Sequence, residues 1–283
     1  MRLQVIIIGG GPAGIACALW LRKLGVAAVL LEAAARLGGL QTRSPYENLW
    51  IPGVQGLTGH QVAGALEDHA LALGVEVHTN SRVLSVEHQE SGDYTASIPS
   101  ATFSAPYLVL ATGTRPCAGD FTPSPSVAIG PGTPMEALEV TGRRIAILGG
   151  GDNAFDQARF VEERGGTAVI FTRSVPRAQR LLQEMIPNVQ LEIGAYHADP
   201  ASMTVNGQAF DAFGVMFGYE AVVPAGLTPD LDRGYIAVNR QGETSLDRVY
   251  ACGEVTDYWH PCVSTAIAHG VQVAKQVSLK LAG

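Results

Sequence analysis

The feature that most constrains the fold of this chain is a glycine-rich turn near its start. Residues 4–8 form a largely apolar run, as expected for a strand buried on both faces of a parallel sheet. The turn Gly9-x-Gly11-x-x-Gly14 follows at once, and residues 12–24 carry apolar residues at helical spacing. Such a turn aims backbone N–H groups and the positive end of a helix dipole at a phosphate. With residues 27–31 as the next strand, the pattern predicts a dinucleotide-binding βαβ unit.

The same pattern returns in the second half of the chain. Residues 144–148 are an apolar run, Gly149-x-Gly151-x-x-Ala154 is the turn, and residues 153–164 have helical spacing. Residues 167–171 complete this unit as a buried strand. The duplication predicts an α/β fold with two Rossmann-like, three-layer dinucleotide-binding domains.

The segment between the two units contains small additions and a linker. Residues 75–86 and 94–98 alternate enough to form small antiparallel β additions, and residues 107–111 are another buried run. Residues 116–134 are rich in Pro, Gly and Ser, which is typical of a linker. After the second unit, we expect a strand at 249–251 and a closing helix at about 264–281.

Glu32 lies at the end of the second predicted strand, 18 residues after Gly14. A carboxylate at this position can accept hydrogen bonds from both ribose hydroxyls of an adenosine. The alternative is a glycine-rich turn with an unrelated surface glutamate, which requires four positions to agree by chance. The first unit is therefore predicted to bind a complete adenine dinucleotide.

Several segments together resemble the thioredoxin reductase type of pyridine nucleotide and disulfide flavoproteins. They are VIIIGGGPAG with Glu32, Leu37-Gly38-Gly39-Leu40-Gln41-Thr42, Glu47-Asn48, Ala111-Thr112-Gly113 and Ala251-Cys252-Gly253-Glu254. The resemblance covers nearly the whole chain. It implies that the first site holds FAD and that residues 250–270 return to it, along the ribityl chain and flavin ring. The expected domains are residues 1–115 plus 242–283 for FAD and an inserted NAD(P)H-binding-like domain at residues 116–241.

The glycine pattern and the resemblance together give a set of expected FAD contacts. They are Gly9, Gly11, Pro12, Ala13, Gly14, Glu32, Ala33, Gly38, Gly39, Leu40, Gln41, Asn48, Val83, Ala111, Thr112, Gly113, Gly253, Glu254, Cys262 and Val263. Glu254 departs from the family, which usually has Asp there. Its extra methylene implies a shifted or water-bridged ribityl contact, and the alternative is an exposed carboxylate at the end of a strand.

The second turn is expected to bind NADPH in preference to NADH. Counting the same 18 residues from Ala154 reaches Thr172 and then Arg173, so no carboxylate meets a 2′-hydroxyl and a guanidinium can meet a 2′-phosphate. The full set of candidates is Gly149, Gly151, Asp152, Asn153, Ala154, Thr172, Arg173 and Arg177. The family's arginine-rich signature is eroded here, and a solvated basic segment is the alternative reading.

The chain lacks the dithiol of the thioredoxin reductases. No C-x-x-C occurs in the sequence, and no cysteine follows Gly38-Gly39 as it does in the glutathione-reductase arrangement. The four cysteines also show no metal-ligand spacing, so we expect no metal site. Cys262 and His260 are the candidates for a catalytic thiol and a proton donor, and the alternative for both is a structural role.

Charge and hydropathy restrict the class of partner. A net charge of −7 gives no footprint for nucleic acid, and no apolar run is long enough to span a bilayer. Glycines interrupt the apolar start, so we expect no secretory signal and a cytoplasmic protein. The resemblance implies a homodimer. Expected partners are nucleotide cofactors and a redox protein such as ferredoxin, flavodoxin or a thioredoxin-like protein.

Three functions remain open from the sequence. The first is an FAD-dependent oxidoreductase that passes electrons between NADPH, or a protein donor, and an external acceptor without an internal dithiol. The second is a ferredoxin-linked flavoprotein reductase that does not use NADPH. The third is a catalytically silent flavin-binding module.

Overall fold

The computed structural model describes residues 2–48 and 51–283, which divide into two compact units. Unit 1 comprises Met1–Arg115 and Glu220–Gly283, and unit 2 comprises Pro116–Tyr219. The chain thus returns to unit 1 at Glu220, whereas the sequence placed this return at residue 242. The reason is long-range: the Val86 amide donates to the Ala225 carbonyl at 2.8 Å, and Ile236 is buried in the core of unit 1.

Unit 1 is built on a parallel sheet whose strands lie in the order β20 (Val249–Ala251), β7 (Tyr107–Leu110), β1 (Val5–Ile8), β2 (Ala28–Leu31) and β3 (Glu76–His78). Its first segment contains β1 (Val5–Ile8), α1 (Pro12–Lys23), β2 (Ala28–Leu31), α2 (Gly59–Ala72), β3 (Glu76–His78), β4 (Ser85–His88), β5 (Tyr94–Ile98), β6 (Ala101–Ala105), β7 (Tyr107–Leu110) and β8 (Thr114–Pro116). In the sheet, Val5 of β1 lies opposite Ala28 of β2 and Tyr107 of β7.

Two layers cover this sheet. The helical face buries Ile7 of β1 with Ile15 and Leu21 of α1, and the other face packs Ile6 under the antiparallel sheet β4-β5-β6. All four residues of β1 are buried, as the apolar run predicted. Each large aliphatic side chain buried this way contributes about 1.5–3 kcal/mol. The three layers fix the carboxyl ends of the strands, where the glycine-rich turn begins.

Unit 2 repeats the architecture with a parallel sheet in the order β12-β11-β10-β16-β9. Its elements are β9 (Val127–Ile129), α3 (Thr133–Glu136), β10 (Arg144–Leu148), α4 (Asp152–Glu163), β11 (Thr167–Thr172), α5 (Arg180–Met185), β12 (Gln190–Ile193), β13 (Ala198–Asp199), β14 (Thr204–Val205), β15 (Gln208–Ala209) and β16 (Ala212–Val215). Phe210 and Phe213 pack edge-on against neighbouring aromatic rings in its core.

The returning segment completes unit 1. It contains β17 (Tyr219–Ala221), β18 (Leu231–Asp232), β19 (Tyr235–Ile236), β20 (Val249–Ala251) and α6 (Val263–Ala282). β20 adds to the edge of the sheet beside β7, and Val273 and Val277 of α6 join the same core as α1. The predicted α/β fold with two dinucleotide-binding domains, one inserted in the other, is confirmed. In the described residues, no helix is long and apolar enough to cross a membrane.

Candidate functional site

The first glycine-rich turn is locked to both neighbouring strands. The Gly9 amide donates to the carbonyl of Leu31 at the end of β2 at 2.8 Å. Gly9 has φ +107, and a Cβ there would overlap the carbonyl of Ala111, just beyond β7. Only glycine suits both conditions, because the left-handed region and the missing side chain are needed together. The turn is therefore fixed at the centre of the sheet's carboxyl edge.

The second turn has the same contacts. The Gly149 amide donates to the carbonyl of Phe171 near the end of β11 at 2.9 Å. Gly149 has φ +145, and a Cβ there would overlap the carbonyl of Met216, just beyond β16. The duplication seen in the sequence therefore extends to individual hydrogen bonds.

The third small residue of each turn differs. A Cβ at Gly14 would overlap the carbonyl oxygen of Gly9, so α1 packs on its turn at a distance that excludes alanine. In unit 2, Ala154 fills this position and is fully buried. The Gly151 carbonyl accepts from both Ala154 (3.0 Å) and Phe155 (3.4 Å), which is a tighter first turn than a regular α-helix makes.

Glu32 clasps the first turn. Its Oε2 accepts from the Gly10 amide at 2.6 Å and its Oε1 accepts from the Ala34 amide at 2.7 Å. Each carboxylate oxygen keeps a second lone pair. The carboxylate is thus held rigidly at the end of β2 with acceptor capacity left for ribose hydroxyls.

A cavity of about 250 Å³ opens beside this turn, and the described residues that line it all belong to unit 1. Fourteen of the expected FAD residues lie on its wall, namely Gly9, Gly11, Pro12, Ala13, Glu32, Gly39, Leu40, Gln41, Ala111, Thr112, Gly113, Gly253, Glu254 and Val263. They come from six separate stretches of the sequence between residues 9 and 263. The fold therefore brings together most of the residues that the sequence analysis grouped.

Six expected contacts, Gly14, Ala33, Gly38, Asn48, Val83 and Cys262, do not line this cavity, and their contact with FAD stays a prediction. The structure gives some of them supporting positions. The Gly38 amide donates to the Gly10 carbonyl at 2.8 Å, and Asn48 Nδ2 donates to Oε1 of Gln41 at 2.8 Å.

Seven lining residues were missed, namely Ala34, Arg36, Thr42, Arg43, Thr114, Cys252 and Ala266. Thr42 and Cys252 belong to segments that carried the family resemblance, so the signal for them was present. Arg36 had no such signal. Its guanidinium pairs with Glu67 of α2 at 2.7 Å, and Glu67 also accepts from the Leu37 amide at 2.9 Å.

The segment after β20 lines part of the cavity. Gly253 has φ +78, and a Cβ there would come within 2.7 Å of the Ala13 Cβ. Its amide donates to Nδ1 of His269, a buried histidine of α6, at 3.2 Å. Burial lowers the pKa of His269 to about 4, so the ring is neutral and can accept this bond. Burial also raises the pKa of the neighbouring Glu254 carboxyl.

The two catalytic candidates lie at the start of α6. Cys262 is the N-cap: its Sγ accepts from the Thr265 amide at 3.5 Å, while the Thr265 hydroxyl donates to the His260 carbonyl at 2.6 Å. His260 lines a second cavity of about 10 Å³, which has room for about one water. The site gives both residues a structural role, and a catalytic role stays a prediction.

The end of β11 carries no carboxylate. Thr172 is buried and its hydroxyl donates to the Ser174 carbonyl at 2.9 Å. The Arg173 guanidinium lies 5.9 Å from the centre of the Tyr196 ring, a weak cation–π distance, and its side chain is exposed. Asp152 and Asn153 form the first turn of α4, which begins at the second glycine-rich turn.

The donor set of the large cavity fits FAD. The backbones of Gly11 and Gly39 face each other, so that a Cβ at Gly39 would come within 3.0 Å of the Gly11 Cα. A side chain at Gly11 would point where a pyrophosphate needs to approach. Together with the helix N-terminus and the Glu32 carboxylate, this makes a site for two phosphates followed by a ribose.

Comparison with known proteins agrees with this geometry. Residues 3–199 match the family described as pyridine nucleotide-disulphide oxidoreductase. A ferredoxin–NADP reductase of Limosilactobacillus fermentum is 27% identical over 295 residues, covering 91% of this chain and 87% of the relative. A ferredoxin–NADP reductase of Streptococcus pneumoniae is 26% identical over 291 residues, covering 90% and 86%.

Among solved structures, Lactococcus lactis thioredoxin reductase in its FR conformation superposes with a TM-score of 0.82 at 21% identity, covering 99% of each chain. This likeness shows the shared two-domain fold. The matched family spans both glycine-rich turns, and the turns, the Glu32 clasp and the cavity supply the features that its cofactor chemistry needs. The chain therefore belongs to the pyridine nucleotide-disulphide oxidoreductase family and is a flavin-dependent oxidoreductase with FAD as its cofactor.

Proposed function

We propose that unit 1 holds FAD in its large cavity, that unit 2 binds NADPH, and that electrons pass through the flavin to an external redox protein of the ferredoxin or flavodoxin class. The observation that carries the proposal is the matched pair of glycine-rich turns, one ending its strand in a carboxylate and the other in an arginine. The first end suits a free ribose and the second suits a 2′-phosphate.

The residues of unit 1 would orient and hold the cofactor. Glu32 would accept from the adenosine ribose, and the N-terminus of α1 would face the pyrophosphate. Val263 and Thr112 also line the cavity, and the resemblance implies that Val263 lies near the pyrimidine end of the flavin ring and Thr112 along the FAD. FAD, when bound, supplies a ring that can accept two electrons and pass them on.

The chain contains no C-x-x-C, so no internal dithiol can carry electrons away from the flavin. Cys17 and Cys252 are both fully buried, and burial raises the pKa of Cys252 to about 12, which makes its thiol unreactive. An external acceptor must then take the electrons from the flavin itself. The curated relatives named as ferredoxin–NADP reductases support a ferredoxin-type protein as that acceptor.

The deciding experiment is an anaerobic titration of the purified holoprotein with NADPH, NADH and reduced ferredoxin, followed by the visible absorbance of the flavin. Rapid bleaching by NADPH is expected. Bleaching by reduced ferredoxin alone would favour the ferredoxin-linked function that does not use NADPH. No bleaching by any donor would leave a silent flavin-binding module. NADPH-dependent reduction of thioredoxin is expected to be at background level.

A further inference from the structure

The segment between β11 and α5 folds back over the second glycine-rich turn. The Gly150 carbonyl accepts from the amide of Arg177 at 2.7 Å and from that of Ala178 at 3.2 Å. In unit 1 the matching carbonyl of Gly10 accepts from the Gly38 amide. Backbone contacts to the central glycine are thus common to both units, and they bring Arg177 to the turn.

A side-chain contact in unit 2 also holds the segment between β11 and α5 in this position. Oδ1 of Asp152 accepts from the Gln179 amide at 2.7 Å, and its Oδ2 accepts from Gln179 Nε2 at 2.9 Å. One residue therefore satisfies both oxygens of the carboxylate. Charge-assisted, two-point contacts of this kind restrict geometry more than a single bond does. The residue at the matching position of unit 1 is Pro12, which offers no acceptor side chain.

The two units thus differ in where the carboxylate near the turn stands and in what it bonds. In unit 1 the clasp is Glu32 at the end of the strand, which leaves a negative charge where the ribose is read. In unit 2 the carboxylate is Asp152 at the start of the helix, and the strand end keeps only the Thr172 hydroxyl, which is turned to Ser174. Because the carboxylate of unit 2 stands at the start of the helix, the end of the strand carries no negative charge that would repel a 2′-phosphate.

We propose that Asp152 and Gln179 form a latch that holds Arg177 beside the second glycine-rich turn and thereby sets the preference of unit 2 for a 2′-phosphorylated nucleotide. Asp152 and Gln179 are positioning residues, and Arg177 is the group that contacts the phosphate. The inference rests on the proposed binding of NADPH by unit 2. Arg177 would act in addition to Arg173, whose position is set by the end of β11 rather than by the latch.

The test measures binding and discrimination together on the FAD-loaded protein. Gln179→Ala removes the Nε2 donor and keeps the backbone amide, and Asp152→Asn removes the charged acceptor. Affinity for adenosine 2′,5′-bisphosphate, measured by calorimetry, should fall about three- to tenfold in each variant, as for the loss of part of a charge-assisted contact. In Gln179→Ala, affinity for 5′-AMP should stay unchanged. The ratio of NADPH to NADH efficiency in flavin reduction should fall by the same factor.

A matched control is Gln190→Ala, because Gln190 also donates its Nε2 to a carboxylate, that of Glu192, from an exposed position in unit 2. This variant should match the wild type. A double-mutant cycle separates positioning from general loosening: in an Arg177→Ala background, Gln179→Ala should have no further effect on bisphosphate affinity.

Three outcomes would overturn the inference. If the latch variants kept the wild-type ratio of NADPH to NADH efficiency, this inference would be wrong while the proposed function would stand. The same holds if Gln179→Ala lowered the bisphosphate affinity by the same factor in the Arg177→Ala background. A wild-type protein that binds no bisphosphate and is not reduced by NADPH would instead remove the proposed function, and this inference with it.

Discussion

In unit 1 the strand after the glycine-rich turn ends in Glu32, which is bound to two backbone amides of its own unit. In unit 2 the matching strand ends in Thr172 and Arg173, and the carboxylate stands instead at the start of the helix. The turns themselves share their hydrogen bonds to the neighbouring strands. The same backbone arrangement therefore occurs twice, and under the proposed function the side chains around it decide which nucleotide each unit binds.

The largest effect is expected when a bulky side chain is introduced into each of the two glycine-rich turns, one variant at a time. Gly11 and Gly151 have φ −74 and φ −95, and a Cβ at either meets nothing closer than 3.9 Å, so the protein itself tolerates a side chain there. Gly11→Leu should weaken FAD binding by on the order of a hundredfold or more, about 3 kcal/mol, because the side chain takes the place of the pyrophosphate. Flavin released on gel filtration and in a fluorescence titration measures this.

Gly151→Leu is the matched variant in unit 2. It should keep a full complement of FAD and lose reduction by NADPH. If it lost FAD as readily as Gly11→Leu does, the assignment of one nucleotide to each unit would be wrong.

The second effect concerns the segment after β20, which lines the cavity of unit 1. His269 has a pKa of about 4 in the folded protein and an ordinary value of 6.5, so between these values the unfolded chain binds more protons. The contribution of the neutral His269 ring to the free energy of unfolding is therefore complete above pH 6.5. It is lost as the pH falls towards 4, by about 3 kcal/mol in all. Urea unfolding at pH 7.5, 6 and 5, followed by flavin fluorescence, should show this loss.

His269→Asn should flatten the pH dependence, because an amide oxygen can accept from the Gly253 amide without titrating. His60→Asn, at an exposed histidine on α2, is the control and should keep the wild-type slope. Equal slopes in wild type and His269→Asn would show that another group governs the acid sensitivity of unit 1.

The third effect tests the packing of the two helices on their turns. Gly14→Ala should destabilise unit 1 by about 1–3 kcal/mol, because its Cβ overlaps the Gly9 carbonyl and α1 must move. Ala154→Gly should cost unit 2 only about 0.5–1 kcal/mol, the usual helical penalty of glycine. Chemical denaturation of the two variants compares them directly, and similar losses would mean that the two helix starts do not differ as described.

The sequence predicted the parts of this comparison that depend on local pattern. Both βαβ units and Glu32 were found because strand, turn, helix and carboxylate occur at fixed spacing along the chain. The latch was not found, because Asp152 and Gln179 lie 27 residues apart and no local pattern links them. The same holds for the His269 contact with Gly253. Helix α2 was not assigned either, although Thr58 and Gln61 form a capping box at its start.

The smallest effect is expected at Arg173, where the two units differ in the charge that ends the strand. A 2′-phosphate is close to dianionic at neutral pH and can pair with this exposed guanidinium. NADPH should then reduce the flavin about tenfold more efficiently than NADH, and Arg173→Ala should remove the part of that difference that Arg177 does not supply while leaving the NADH rate nearly unchanged.

The salt dependence of the ratio of NADPH to NADH efficiency tests whether charge causes the preference. Salt screens an exposed ionic contact but not the hydrogen bonds to the rest of the nucleotide. Raising the ionic strength from about 0.01 M to 1 M shortens the Debye length from about 30 Å to about 3 Å, so the NADPH advantage should narrow in wild type and narrow less in Arg173→Ala, where only the contact of Arg177 remains. Arg180→Ala is the matched control, since Arg180 is exposed in the same segment but pairs with Glu184. Stopped-flow reduction with both nucleotides at each salt concentration gives all these ratios. A salt-independent preference for NADPH would mean that the strand end does not read the 2′-phosphate by charge.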